Sequence, residues 1–164
     1  GDGAGGDFLA GGDEAGAVRE WREALRIAPH YAAPRVQLVQ VLYAKKDRDG
    51  MLKELRAGVE ANPYSIDMLN SLAWLLATSP KDEQRSAAEA ILFAERADML
   101  TNSANHAVLD TLAAAYAEAG RFEDAQTRIM AAIALARDAG MTRESQDYGK
   151  RLELYKKGQP FRDQ

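Results

Sequence analysis

Any reactive chemistry in this chain would have to start from two histidines, His30 and His106, because cysteine is absent. That absence removes disulfides, thiolate catalysis and cysteine-ligated zinc in one step. Neither histidine stands in an HExxH arrangement or four residues from another, so their spacing offers no metal site. Asp110 follows His106 by one helical turn and is placed to hydrogen-bond it. A His–Asp pair without a nucleophile, however, performs no recognisable reaction. The serines lack the Gly-x-Ser-x-Gly setting that exposes a nucleophile. Asp47, Asp49 and Gly50 open like a calcium loop, yet Lys45 takes the place of the first acidic ligand and no correctly spaced Glu follows. That stretch reads as a charged turn. The Gly-rich Gly1–Gly6 stretch is not followed by Gly-Lys-Ser/Thr, so it is no phosphate loop. Carboxylates elsewhere alternate with cations, as in Glu20 beside Arg19 and Glu95 beside Arg96, and read as solvated helix faces. The expectation is a protein without catalytic residues, cofactor or metal.

The elements that would position any site are helices. In 109–136, LDTLAAAYAEAGRFEDAQTRIMAAIALA, Leu109, Leu112, Ala113, Tyr116 and Ala117 recur at spacings of three and four. After Ala119-Gly120-Arg121, Phe122, Ala125, Ile129, Ala132 and Ile133 do the same. Ala113 and Ala125 allow close approach, while Leu112, Tyr116 and Phe122 fill the seam. Gly120 stands where the chain must leave the first helix, a position favouring positive φ. This predicts an antiparallel helix hairpin.

The pattern repeats. Gly12, Ala17, Trp21, Ala24 and Pro29 stand at matching offsets in the first copy, and Pro63 follows Pro29 by 34 residues. Leu38, Leu42, Leu55 and Gly58 fill the equivalent places between them. A third copy holds Leu69, Leu72, Ala73 and Leu76, then Ala90, Ala94 and Ala97. Lys46 replaces the turn Gly in the second copy, and Asn102 the closing Pro in the third. This period and small/large alternation resemble the tetratricopeptide repeat (TPR) over nearly the whole chain. LAWLLATSP at 72–80, a loop about five residues longer than the bare repeat requires, and LFAERA at 92–97 resemble a bacterial TPR subtype. RLELYKKGQPF at 151–161 resembles the tail of that subtype. The resemblance implies an all-α, right-handed TPR superhelical solenoid of antiparallel helix hairpins with a C-terminal capping helix.

The domain reading has three parts. Residues 1–12 form a flexible Gly-rich start, with Phe8 and Leu9 as the remnant of a first-repeat helix. Residues 13–139 form the array of about three and a half repeats, and 140–164 the capping helix and tail. Asp13 is expected to cap the first full helix and Ser79-Pro80 to break the first helix of the third copy. The insertion after it is expected to bulge from the hairpin turn. Thr142 is expected to cap the last helix, with Tyr148, Leu152 and Tyr155 on one face covering the apolar end of the stack. Lys150, Arg151, Lys156, Lys157 and Arg162 read as a solvated basic face.

In TPR stacks the first helix of each pair lines a concave groove. The resemblance therefore implies ligand-facing positions at Val36, Gln40 and Tyr43, at Asn70 and Trp74, and at Asp110, with Glu118 as an outlying member. Amides would pair with a peptide backbone and the Trp ring would take its side chains. Tyr43 and Trp74 serve equally well as packing residues against a neighbouring helix. One TPR subclass clamps the terminal carboxylate of heat-shock chaperones with Lys, Arg and Asn. Val36, Asn70 and Asp110 occupy those places here, and Asp110 would repel a carboxylate.

Bulk properties agree. A net charge of −4 argues against a nucleic-acid surface, and no apolar run approaches the ~18 residues of a membrane span. The sequence thus points to a non-catalytic protein–protein interaction module that binds a peptide or protein segment in its groove. The alternative is a structural or spacer segment at the C-terminal end of a larger bacterial protein, with the resemblance suggesting an envelope glycosyltransferase-type parent. In that alternative the truncated first repeat would pair between copies as a homo-oligomer. Either side of the bacterial inner membrane suits the composition.

Overall fold

The computed structural model describes residues 13–164; eight α-helices and a single 3-10 turn make up the regular structure of those residues, without a strand. The Gly-rich start and the first-repeat remnant expected at 1–12 lie outside the described residues. The chain divides into two compact units, one ending at Pro63 and the other beginning at Tyr64.

The first unit holds α1 (Glu14–Ile27), α2 (Ala32–Ala44) and α3 (Arg48–Ala61). Asp13 caps α1 by accepting from the Gly16 amide at 2.9 Å, and Asp47 caps α3 by accepting from Gly50 at the same distance. Helix α3 therefore begins at Arg48, inside the charged turn, because Asp47 satisfies an amide that would otherwise be orphaned. Ala17, Trp21 and Leu25 of α1 pack with Leu38 and Val41 of α2 as a small apolar core. A charge network, buried at Arg35 and Glu54 and exposed at Arg22, ties the three helices together. Arg35 Nη1 donates to Glu54 Oε2 at 3.0 Å, Arg22 Nη1 donates to Glu54 Oε1 at 2.9 Å, and Arg35 Nη2 donates to the Pro29 carbonyl at 3.0 Å. Arg35 and Glu54 are both buried, so each needs the other.

The second unit contains α4 (Ile66–Thr78), the 3-10 turn Asp82–Gln84, α5 (Ala87–Leu100), α6 (His106–Glu118), α7 (Phe122–Asp138) and α8 (Thr142–Lys156). Ser65, Ser86 and Asn105 cap α4, α5 and α6 with their side-chain oxygens. Helix α6 is central: every residue from Val108 to Ala117 is buried, and it packs against α4, α5 and α7. Ala90, Ala94, Ala113, Ala125 and Ala132 have no exposed surface, which brings the helix axes close enough for Leu69, Leu72, Leu109 and Ile129 to interlock.

Five turns share one exit. Lys46, Asn102, Gly120, Gly140 and Gly158 have positive φ, and in each case the next amide reaches back to the carbonyl five residues earlier. Lys46 thus does in the second copy what Gly120 does in the fourth, at φ 56°. One expectation needs correction. Thr142 does not cap α8, since Met141 holds the cap position without a side-chain bond and Thr142 is already the first helical residue. The insertion lies between α4 and α5 and is tied down by one of its own side chains. Arg85 folds back to donate to the carbonyls of Ser79 (2.8 Å) and Pro80 (3.1 Å), which closes the segment onto the end of α4.

Candidate functional site

The repeat places chemically different residues at the same helix position. A step of 34 residues carries Val36 onto Asn70 and Gln40 onto Trp74, and a step of 40, lengthened by the insertion, carries Asn70 onto Asp110 and Thr78 onto Glu118. In the first unit this face of α2 is open. Val36, Gln40 and Tyr43 are all exposed, Tyr43 to 73 %, while Arg35, Leu38 and Val41 point the other way into the unit. Tyr43 is therefore displayed and is not a packing residue.

In the second unit the same face is covered by the chain's own last segment. Helix α8 packs along α7 and buries Tyr148 and Tyr155. Gly158 then turns the chain, and residues 159–164 run back over α4. There the Asp163 amide donates to the Thr78 carbonyl at 2.9 Å, and the Trp74 indole N–H donates to Asp163 Oδ2 at 2.8 Å. The Phe161 ring lies against the Trp74 ring with centroids 5.7 Å apart. Arg151 joins them, its guanidinium 5.0 Å from the Trp74 centroid and 4.5 Å from that of Phe161. Arg162 forms a 2.6 Å ion pair with Glu118 Oε2, while Arg85 of the insertion holds Glu118 Oε1 at 3.1 Å. Trp74 is thus neither an empty groove residue nor a core residue; it is the platform on which Phe161 and Asp163 rest.

Beneath that platform lies a buried charge. Arg151 Nη1 donates to Asp110 Oδ2 at 2.6 Å. Burial nevertheless pushes the Asp110 carboxyl up to about 6, outweighing the pull of Arg151 in the opposite direction. Burial, with the Asp110 charge adding to it, also raises the phenol of the fully buried Tyr155. Asn70 Oδ1, at the equivalent place on α4, is shielded from solvent and has no hydrogen-bond partner. His106 does not pair with Asp110, contrary to the spacing argument. Its Nδ1 shares a 2.7 Å hydrogen bond with the Tyr148 hydroxyl of α8, and the Asp110 carboxylate is taken by Arg151 of the same helix.

No protein-family model matches the chain, nor does any curated protein. Among solved structures, the crystal structure of MamA, a TPR-like helical-repeat protein, superposes over 93 % of this chain and 94 % of that one with a TM-score of 0.63 at 17 % identity. The fold is a helical-repeat solenoid of TPR type.

On that fold, the positions expected to face a ligand divide into an open set, Val36, Gln40 and Tyr43, and a second set in which Asn70 and Trp74 are half-buried and Asp110 is buried. The residues that cover the second set were read from sequence as a solvated basic face. Lys150, Lys156 and Lys157 are indeed exposed, but Arg151 and Arg162 are drawn inward by Asp110 and Glu118. The available signal was Phe161 and Asp163 beyond the helix-ending Gly158 and Pro160, an aromatic and a carboxylate with no helix of their own to join. Among the described residues no group of three or more His, Cys, Asp or Glu side chains is arranged to hold a metal ion, and no helix is long and apolar enough to cross a membrane.

Proposed function

We propose that this chain is a non-catalytic protein-interaction module that holds an extended peptide or protein segment against the first helices of its TPR hairpins. The observation that carries this reading is the seat of residues 159–164 in the second unit. There a non-helical segment lies on α4 with its backbone amide bonded to Thr78 and its side chains bonded to Trp74 and Glu118. This face already carries a non-helical stretch of the same chain. In the first unit the equivalent positions present a Val, an amide and an exposed Tyr, a combination suited to apolar contact and backbone pairing. Residues 13–139 then act as the binding array, and α8 with the following segment closes the face of the second unit.

The experiment is affinity capture from a bacterial lysate with the wild type and a Gln40→Ala, Tyr43→Ala variant. Both positions are exposed, so the variant keeps its fold, which circular dichroism checks. The reading expects the captured partner to fall by about tenfold or more, the scale of one interface anchor. Equal capture by both proteins removes α2 from the binding face.

A further inference from the structure

The segment on the second unit is held differently from the helix that delivers it. Tyr155 and Tyr148 of α8 are almost fully buried, at 0 % and 5 % exposure, so the helix is part of the unit. Phe161, Arg162 and Asp163 are only half-buried and sit after the Gly158 turn, at φ 68°, where the chain can swing away without disturbing α8. Their contacts are also specific in order. Phe161 sits beside Trp74 and the Arg151 guanidinium, Arg162 meets the Glu118 carboxylate, and Asp163 takes the Trp74 indole N–H and gives its amide to Thr78. Three consecutive residues meet three chemically distinct seats.

We infer that Phe161–Asp163 is an intramolecular occupant of a peptide site on α4, α6 and α8. The site's exchangeable ligand is an extended segment carrying an aromatic residue, a cation and a carboxylate in that order. The inference rests on the protein-interaction reading and deepens it, because it names the class of peptide the second unit takes and the segment that holds the site closed. Each seat supports one part of it. The cation of Arg151 prefers an aromatic face above it. Glu118, although shared with Arg85, lies where a second cation completes its pairing. An indole N–H has no acceptor capacity, so it selects a carboxylate or carbonyl. A segment tethered in cis lowers the apparent affinity for an outside peptide by the fraction of molecules in which the site is open.

The test is fluorescence anisotropy with a dye-labelled peptide of the sequence QPFRDQ, titrated with the complete chain. Two variants open the site: Phe161→Ala with Asp163→Ala, and Arg162→Glu, which sets like charges against Glu118 and serves if the first loses its fold. Circular dichroism selects the folded one. Either variant is expected to bind the peptide about tenfold or more tightly than the wild type, as the loss of an in-cis competitor requires. A peptide with Lys in place of the Asp is expected to bind about tenfold more weakly than QPFRDQ. Equal binding by wild type and folded variant, or no binding by the folded variant at millimolar protein, overturns the inference. Those results leave the Gln40 and Tyr43 test on α2 untouched, so the two failures are told apart.

Discussion

Helices α2 and α4 occupy the same place in successive repeats, yet one presents its inner face to solvent and the other has its own chain laid across it. Val36 and Gln40 are exposed where Asn70 and Trp74 are half-buried. The difference does not lie in helix length, since the two helices are equally long and are followed by partner helices of equal length. It lies in the side chains each repeat carries and in how the chain leaves each helix. Trp74 offers a ring and an N–H to a passing segment, and Thr78 offers a carbonyl at the end of α4, where Ser79-Pro80 stops the helix. On α2 the corresponding place holds Gln40, and Tyr43 stands outward. A repeat fixes where a face lies, and only its residues decide what lies on it.

The largest effect that sharpens this contrast is expected from Arg151→Ala. It strands the buried Asp110 carboxylate and removes the guanidinium from the Trp74 and Phe161 rings, which costs about 3 kcal/mol in denaturant unfolding near pH 8. The penalty is expected to shrink near pH 5. Asp110, with its carboxyl already pushed up to about 6, then takes a proton and no longer needs the cation. The wild type carries the same sign. A carboxyl raised on folding binds its proton more tightly in the folded chain, so its contribution to stability grows as pH falls from about 7 toward 4 and is lost as pH rises through 6. Asp110→Asn is expected to flatten that part of the stability–pH curve, and a slope that persists unchanged would mean another group is responsible.

Glu54→Ala makes the matching test in the first unit. It leaves Arg35 buried without its partner and is expected to cost about 3 kcal/mol there, while the environment of Trp74 is unchanged by indole NMR. Asp163→Ala is milder. Losing the bond to the Trp74 indole is expected to cost about 1 kcal/mol and to shift the Trp74 Nε1–H resonance toward its free position. The smallest effect belongs to α2, where Tyr43→Ala is expected to change stability by less than about 0.5 kcal/mol because the ring is exposed. A larger loss would show that Tyr43 packs, and the open-face description of α2 would fail.

The helices were legible because their signals are local. Pro29, Pro63 and Ser79-Pro80 stop helices wherever they occur, and the spacing of Leu109, Leu112 and Tyr116 specifies a buried face without reference to anything distant. Lys46 and Gly120 could be matched by position although only one has the expected side chain, since the same turn fixes both. The covered site was not legible for the opposite reason. Arg151 and Asp110 are 41 residues apart, and Trp74 and Asp163 are 89 apart. No period links them. Arg151 and Arg162 looked like their exposed lysine neighbours because a charge run carries no mark of which members find a partner. The His106–Asp110 spacing is a local signal overridden by two residues of α8, Tyr148 bonding the one and Arg151 the other.

The account turns on whether an extended segment rests on the inner helix face in solution. Amide hydrogen exchange of Asp163 in the unaltered chain measures this directly, since that N–H is bonded to the Thr78 carbonyl. The account predicts protection of about a hundredfold over an unstructured peptide, largely abolished by Phe161→Ala while the amides of α8 stay protected. Exchange of Asp163 at the unstructured rate in the wild type would contradict it.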